Sequence, residues 1–298
     1  MRWKQGRRST NVEDLRGTRR GRRMSSGRRG GGMKLGGGMG IIVLLIGLFL
    51  GVDVSSLLGG GGGGQVGIPQ LQSPGGLGGS QGTAIRNDDE AANFISTVLA
   101  DTEDVWHKLF NQAGQRYQEP KLRLFSDGVN SACGYTSSAA GPFYCPGDSN
   151  VYIDLSFFRQ LQSMGAAGDF AQAYVLAHEV GHHIQNQLGV SMAVQRQQRQ
   201  LPKAQANALS VRTELQADCY AGVWAHHAHK DRQVLELGDL EEGMNAAAKI
   251  GDDALMRSAG RRIHPDAFTH GSSEQRQQWL YRGLETGDPL ACDTFGNG

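Results

Sequence analysis

Apolar residues follow two different patterns along the 298-residue chain. Between Lys34 and Asp53 lie eighteen uncharged residues, densest from Ile41 to Leu50. Eighteen is the short end of what crosses a hydrocarbon core as one helix. Glycine-rich sequence flanks this run on both sides, which argues against a buried core helix. A long stretch precedes it and no Ala-x-Ala site follows, which argues against a cleaved signal peptide. The pattern predicts one transmembrane helix over 35–58.

Beyond residue 84 the apolar positions are spaced rather than continuous. Phe94, Val98, Val105, Leu109 and Phe110 form the stripe of a helix that opens at Asp88-Asp89-Glu90 and runs to about Gln112. Lys121–Phe125 and Val151–Asp154 gather β-formers and read as short strands, the second as an edge on which an extended peptide could pair. From Asp169 the spacing is helical, with Phe170, Tyr174, Ala177, Gly181, Ile184 and Leu188 on one stripe and Gly189 where a stop is expected. Arg212–Trp224 reads as a further helix. The expected fold is α+β, mostly helical with a small sheet, in one domain over 84–298.

Charge changes the picture of the N-terminal part. Residues 1–34 carry twelve Lys and Arg against Glu13 and Asp14, and the remainder carries eighteen basic and twenty-seven acidic residues. A net charge of +1 thus joins a tail of +10 to a remainder of −9. So basic a stretch, rich in Gly and Ser, reads as a disordered tail over 1–34. Trp3 is its lone aromatic residue, so base stacking has no platform and no nucleic-acid partner is expected. Positive charge stays on the cytoplasmic side, which puts the tail inside and the domain outside, periplasmic or extracellular, on an inner (plasma) membrane. Six glycines from Gly59 to Gly64, then Pro69, Pro74 and further Gly, make 59–83 a flexible linker.

The candidate chemistry lies in His178-Glu179-Val180-Gly181-His182. Residues four apart share a helix face, so His178 and His182 can aim two imidazoles at one point, half of a tetrahedral zinc site. Glu179 then sits beside the metal, placed to take a proton from water and pass it to a leaving amine. The small Ala177 and Gly181 would let another helix or a substrate backbone approach. His183 is one residue off the ligand face. A third ligand is needed, and Glu214 and Asp218 offer it: four apart on one face, one can bind metal while the other holds a ligating histidine by its second ring nitrogen. The four cysteines fit an oxidising compartment. Cys133 and Cys145 stand twelve apart across a loop rich in Gly, Ser and Pro, leaving Cys219 and Cys292; three pairings exist and the sequence does not choose among them.

His178-Glu179-x-x-His182 followed by Glu214-x-x-x-Asp218 is similar to the gluzincin arrangement of zinc peptidases. More of the chain joins the resemblance: Asn11-Val12-Glu13-Asp14, Gly141-Pro142-Phe143-Tyr144-Cys145-Pro146, Val151-Tyr152-Ile153-Asp154 and Thr269-His270-Gly271-Ser272-Ser273-Glu274-Gln275-Arg276. Together with the anchor and its glycine tether, these resemble the membrane-anchored neutral zinc metallopeptidases of bacteria. The resemblance implies a zincin-like metallopeptidase domain and one Zn²⁺ per chain on His178, His182 and Glu214. It implies Asp218 behind a ligating histidine, Glu179 as base and then acid, and a peptide or protein substrate. His270 matches a late segment of such enzymes and could hydrogen-bond the developing oxyanion or simply cap its loop, and Arg276 could pair with a carboxylate of the site or be a surface charge. The rival reading is a membrane-tethered, non-catalytic binding module with a structural or vestigial zinc site.

Overall fold

The computed structural model describes residues 1–17 and 85–296. The span expected over 35–58 and the linker expected over 59–83 lie outside the described residues. Among the described residues no helix is long and apolar enough to cross a membrane.

A four-stranded sheet has the order β1 (Val12–Asp14), β2 (Lys121–Phe125), β6 (Asn150–Asp154), β5 (Phe143–Cys145). The first three are mutually parallel, with Val12 opposite Leu122 and Leu122 opposite Val151, and β5 returns antiparallel with Tyr144 opposite Val151. A separate hairpin, β3 (Gly128–Ser131) and β4 (Gly134–Ser137), projects between β2 and β5 in sequence. All five residues of β6 are buried, as a strand covered on both faces requires. It lies inside the sheet, so the expectation that Val151–Asp154 forms an edge is corrected: β5 is the edge strand on that side.

Helices make up the rest. Asp89 caps α1 (Glu90–Gln112) by accepting the Ala92 N–H at 3.0 Å. After α2 (Ser156–Ser163) comes α3 (Asp169–Gln187), which carries the histidines. Asp169 is its first residue rather than its cap; Gly168 precedes it at φ 124°, and Glu242 reaches in to accept the Phe170 N–H at 3.0 Å. Gly189, at φ 78°, separates α3 from α4 (Val190–Gln198) as the sequence predicts. The long α5 (Lys203–Arg232) is buried continuously from Leu215 to Ala225, so it runs through the core with α3 on one side and α8 (Ser273–Thr286) on another. Between them come α6 (Asp239–Lys249) and α7 (Asp252–Ser258), and a Ser272–Gln275 capping box starts α8. Cys133 is joined to Cys145 and Cys219 to Cys292, which settles the pairing.

The reading of 1–34 as a disordered tail is corrected for residues 1–17. β1 extends the sheet, and Trp3 packs edge-on against Phe94 with ring centroids 5.2 Å apart. Arg7 binds Glu103 at 2.9 Å and Asp104 at 2.8 Å, and Arg16 binds Asp14 and Asp89 at 2.6 Å each. The Met1 amine meets Asp169, Glu236 and Asp239. Composition counts these cations as solvated because it cannot see the carboxylates the domain brings to them. A three-residue strand is also too short to show alternation.

Candidate metal centre

Gly181 on α3 faces Ala217 on α5 so closely that a methyl added there would lie 2.9 Å from the Ala217 carbonyl oxygen. This contact draws the two helices together between the two histidines and the two carboxylates, as the small residues of the motif predict. His178 Nε2 then lies 3.1 Å from Glu214 Oε2, and His182 Nε2 lies 3.4 Å from Glu214 Oε1. Donor atoms of the three residues all fall within 4.8 Å of one another. Zinc bonds of about 2.1 Å set tetrahedral ligand atoms about 3.4 Å apart. The donor set therefore fits zinc in kind and in spacing.

Both histidines are oriented from behind. His178 Nδ1 donates to Asp218 Oδ1 at 2.8 Å, and His182 Nδ1 donates to Gln185 Oε1 at 2.9 Å. Gln185 is fixed in turn by donating to the Thr213 carbonyl at 2.6 Å and to Gln216 Oε1 at 3.1 Å. Each Nδ1–H is thus committed, and each Nε2 is turned toward Glu214. Asp218 is 0% exposed and receives the Tyr174 hydroxyl at 2.6 Å and a two-point fork from Arg276, Nε to Oδ2 and Nη2 to Oδ1, at 2.9 Å each. Arg276 is itself 3% exposed, so the sequence reading that pairs it with a site carboxylate holds. Gly283 on α8 lies so close to α5 that a methyl there would overlap the Cys219 carbonyl, and this approach delivers Arg276 to Asp218.

The electrostatics follow from this crowding. Burial works against the Asp218 charge, but Arg276 and His178 outweigh it and hold the carboxyl below its ordinary value. Glu214 is treated likewise, driven up by burial and pulled well down by His182, His270 and His178. Burial disfavours a charged His178, yet Asp218 and Glu214 raise it to about 10, so without a cation the site recruits protons as countercharge. Glu179 differs: burial pushes its carboxyl up against the pull of His182 and His178. A raised carboxylate next to the ligands is suited to accept and return a proton.

Glu179, Glu214 and His270 line one cleft of about 420 Å³ with Tyr144 and the apolar Phe157 and Val175. His270 comes from the loop before α8. Its Nδ1 lies 3.2 Å from Asp252 Oδ1, while Asp252 Oδ2 accepts the N–H groups of Thr269, His270 and Gly271 at 2.7, 2.7 and 3.0 Å. His183 turns away, with Nε2 2.6 Å from the Gln118 carbonyl and Nδ1 3.1 Å from the Tyr144 hydroxyl. Sequence reasoning missed Asp252, Gln185 and Tyr174. Tyr174 stands one turn before His178 and was visible only as an apolar stripe member. Gln185 follows His182 by three, a spacing that reaches, but nothing marks it among many glutamines. Asp252 is eighteen residues from His270 and carries no signal.

Residues 1–295 match the family described as "Putative neutral zinc metallopeptidase". The chain belongs to this family. It is 46% identical over 301 residues to the uncharacterized protein YpfJ of Escherichia coli K12, covering 99% of each chain. It is 42% identical over 222 residues to the uncharacterized protein Rv2575 of Mycobacterium tuberculosis H37Rv, covering 70% of this chain and 74% of that one. No solved structure matches it. The family's description suggests zinc and peptide cleavage.

Proposed function

We propose that the chain is a zinc-dependent peptidase that works outside the cytoplasm. The observation that carries this is the convergence of His178, His182 and Glu214 at zinc spacing beside Glu179, in an open cleft. A zinc ion on these three residues would polarise a peptide carbonyl and make a neighbouring water more acidic. Glu179 takes the proton of the attacking water and hands it to the departing amine. His270, steadied by Asp252, lies at the same cleft to hydrogen-bond the carbonyl oxygen as it gains charge. Asp218, Arg276 and Gln185 hold the two imidazoles in the ligating tautomer.

The non-catalytic alternative asks for a fourth protein ligand that closes the site. Among the described residues the cluster comprises three, and His183 is engaged elsewhere. The two disulfides support an oxidising compartment. A membrane attachment is supported by the apolar run at 41–50 alone.

The test compares wild type with Glu179→Gln for zinc per chain and for cleavage of a mixed peptide library. One zinc in both, with cleavage in wild type only, is the expected outcome. One zinc with no cleavage in either would defeat the peptidase reading, and no zinc in either would defeat the metal site.

A further inference from the structure

The first seventeen residues are built into the domain. Glu103 on α1 is 1% exposed, and three donors from the segment surround its carboxylate: Arg7 Nη2 at 2.9 Å, Asn11 Nδ2 at 2.9 Å and the Ser9 hydroxyl. The segment thus both covers this carboxylate and supplies the cation and hydrogen bonds that a buried charge requires. β1 pairs in register with β2, and the Arg2 N–H donates to the Val234 carbonyl at 2.7 Å, so the segment contacts the sheet, α1 and the end of α5. Arg16 bridges Asp14 of the segment and Asp89, the cap of α1. The points where the chain leaves at 17 and resumes at 85 are thereby held close together.

We infer that residues 1–17 and 85–296 occupy one compartment. The chain between them then crosses no membrane, or crosses one an even number of times. A single crossing would separate β1 from β2. The charge rule that places the tail in the cytoplasm loses part of its basis as well. Five of the twelve basic residues it counts, Arg2, Lys4, Arg7, Arg8 and Arg16, stand in the docked segment. Four of these five are ion-paired to carboxylates, through Glu236, Glu90, Glu103 with Asp104, and Asp14 with Asp89. No residue of the segment lines the cleft, and β1 covers the sheet edge opposite β5, so docking leaves the cleft open. The inference stands apart from the cleft's chemistry and holds whether or not the chain cleaves peptides.

Single cysteines report the compartment of each part in the full chain. All four native cysteines are in disulfides, so in an oxidising compartment an added thiol is the only free one, and the wild-type chain sets the labelling background for a reducing one. Lys4 and Glu90 are 76% and 74% exposed at their side chains and 3.6 Å apart. Lys4→Cys and, separately, Glu90→Cys are treated in intact cells with a membrane-impermeant maleimide, then again after permeabilisation. The expected result is one shared pattern. Labelling of both in intact cells supports the inference together with the extracytoplasmic assignment. Labelling of both only after permeabilisation supports the inference and overturns that assignment. Labelling of one position in intact cells and the other only after permeabilisation overturns the inference. In the purified double variant a short bismaleimide should link the two positions within one chain, read by mass spectrometry. Absence of that link, with both thiols reactive, would remove the docking on which the inference rests.

Discussion

Arg276 shows how much of the centre depends on residues that stand behind its ligands. Its guanidinium neutralises a fully buried Asp218, and Asp218 in turn fixes His178. Arg276→Met leaves that carboxylate without its cation, at a cost of about 3–5 kcal/mol in stability by denaturant titration. Zinc affinity, measured against a competing chelator, should fall about 10- to 100-fold. Arg276→Lys restores the charge but not the two-point fork, so it should recover only part of either loss. His270 and Asp252 act as a second unit. His270→Ala and Asp252→Asn should each lower kcat about 100-fold or more while zinc per chain stays at the wild-type level, and the double variant should fall little further. Protons give a third check. His178 in the metal-free protein is held at about 10, so at pH 7 it carries a proton that zinc ligation must remove. Zinc binding therefore releases at least one proton, and affinity weakens about tenfold for each pH unit downward per proton released. Calorimetry in buffers of different ionisation enthalpy counts the protons, and uptake rather than release would contradict this arrangement.

Helix contacts, rather than the ligands themselves, set the ligand spacing. Gly181 meets the Ala217 backbone and Gly283 meets the Cys219 carbonyl, so three helices touch almost backbone to backbone. Gly181→Ala should part α3 from α5, costing about 1–3 kcal/mol and reducing zinc retention, since two ligands ride on one helix and one on the other. Gly283→Ala should cost more, because its methyl would overlap the Cys219 carbonyl outright, where that of Gly181→Ala stands 2.9 Å from the Ala217 carbonyl; thermal melts with and without chelator separate the two losses. At this scale the sequence is legible where one element carries its own signal. The span of α3, its stop at Gly189, the opening of α1 at Asp88-Asp89-Glu90 and the i, i+4 pairs His178/His182 and Glu214/Asp218 all follow from local spacing. Other features have no local signature. β1 and β5 are three residues each, and both gain their identity from the strands beside them. Asp252 becomes part of the site only when α7 packs beside the loop of His270. The central placement of β6 depends on which strands flank it, which no alternation within Val151–Asp154 records.

At the scale of the whole chain, the covalent bridges tie distant parts of the sequence to the centre. Cys219 directly follows Asp218, and its bond to Cys292 closes a loop of 73 residues, bringing the C-terminal stretch against α5, where the Cys292 carbonyl accepts from Gln216 at 3.0 Å. Cys145 lies on the edge strand β5 beside the cleft, and its bond to Cys133 closes a loop of only 12. Chain-entropy arguments assign about 4 kcal/mol to the longer loop and about 3 kcal/mol to the shorter. Removing the first bridge with Cys219→Ser and Cys292→Ser should lower Tm by about 10 °C and loosen zinc, because α5 carries Glu214 and Asp218. Removing the second with Cys133→Ser and Cys145→Ser should cost less stability and leave zinc in place, since β5 contributes no ligand. If both pairs lower stability while zinc stays equally tight, then α5 holds its carboxylates without the C-terminal bridge. In that case the Gly181 and Gly283 contacts hold α5 in place without the bridge.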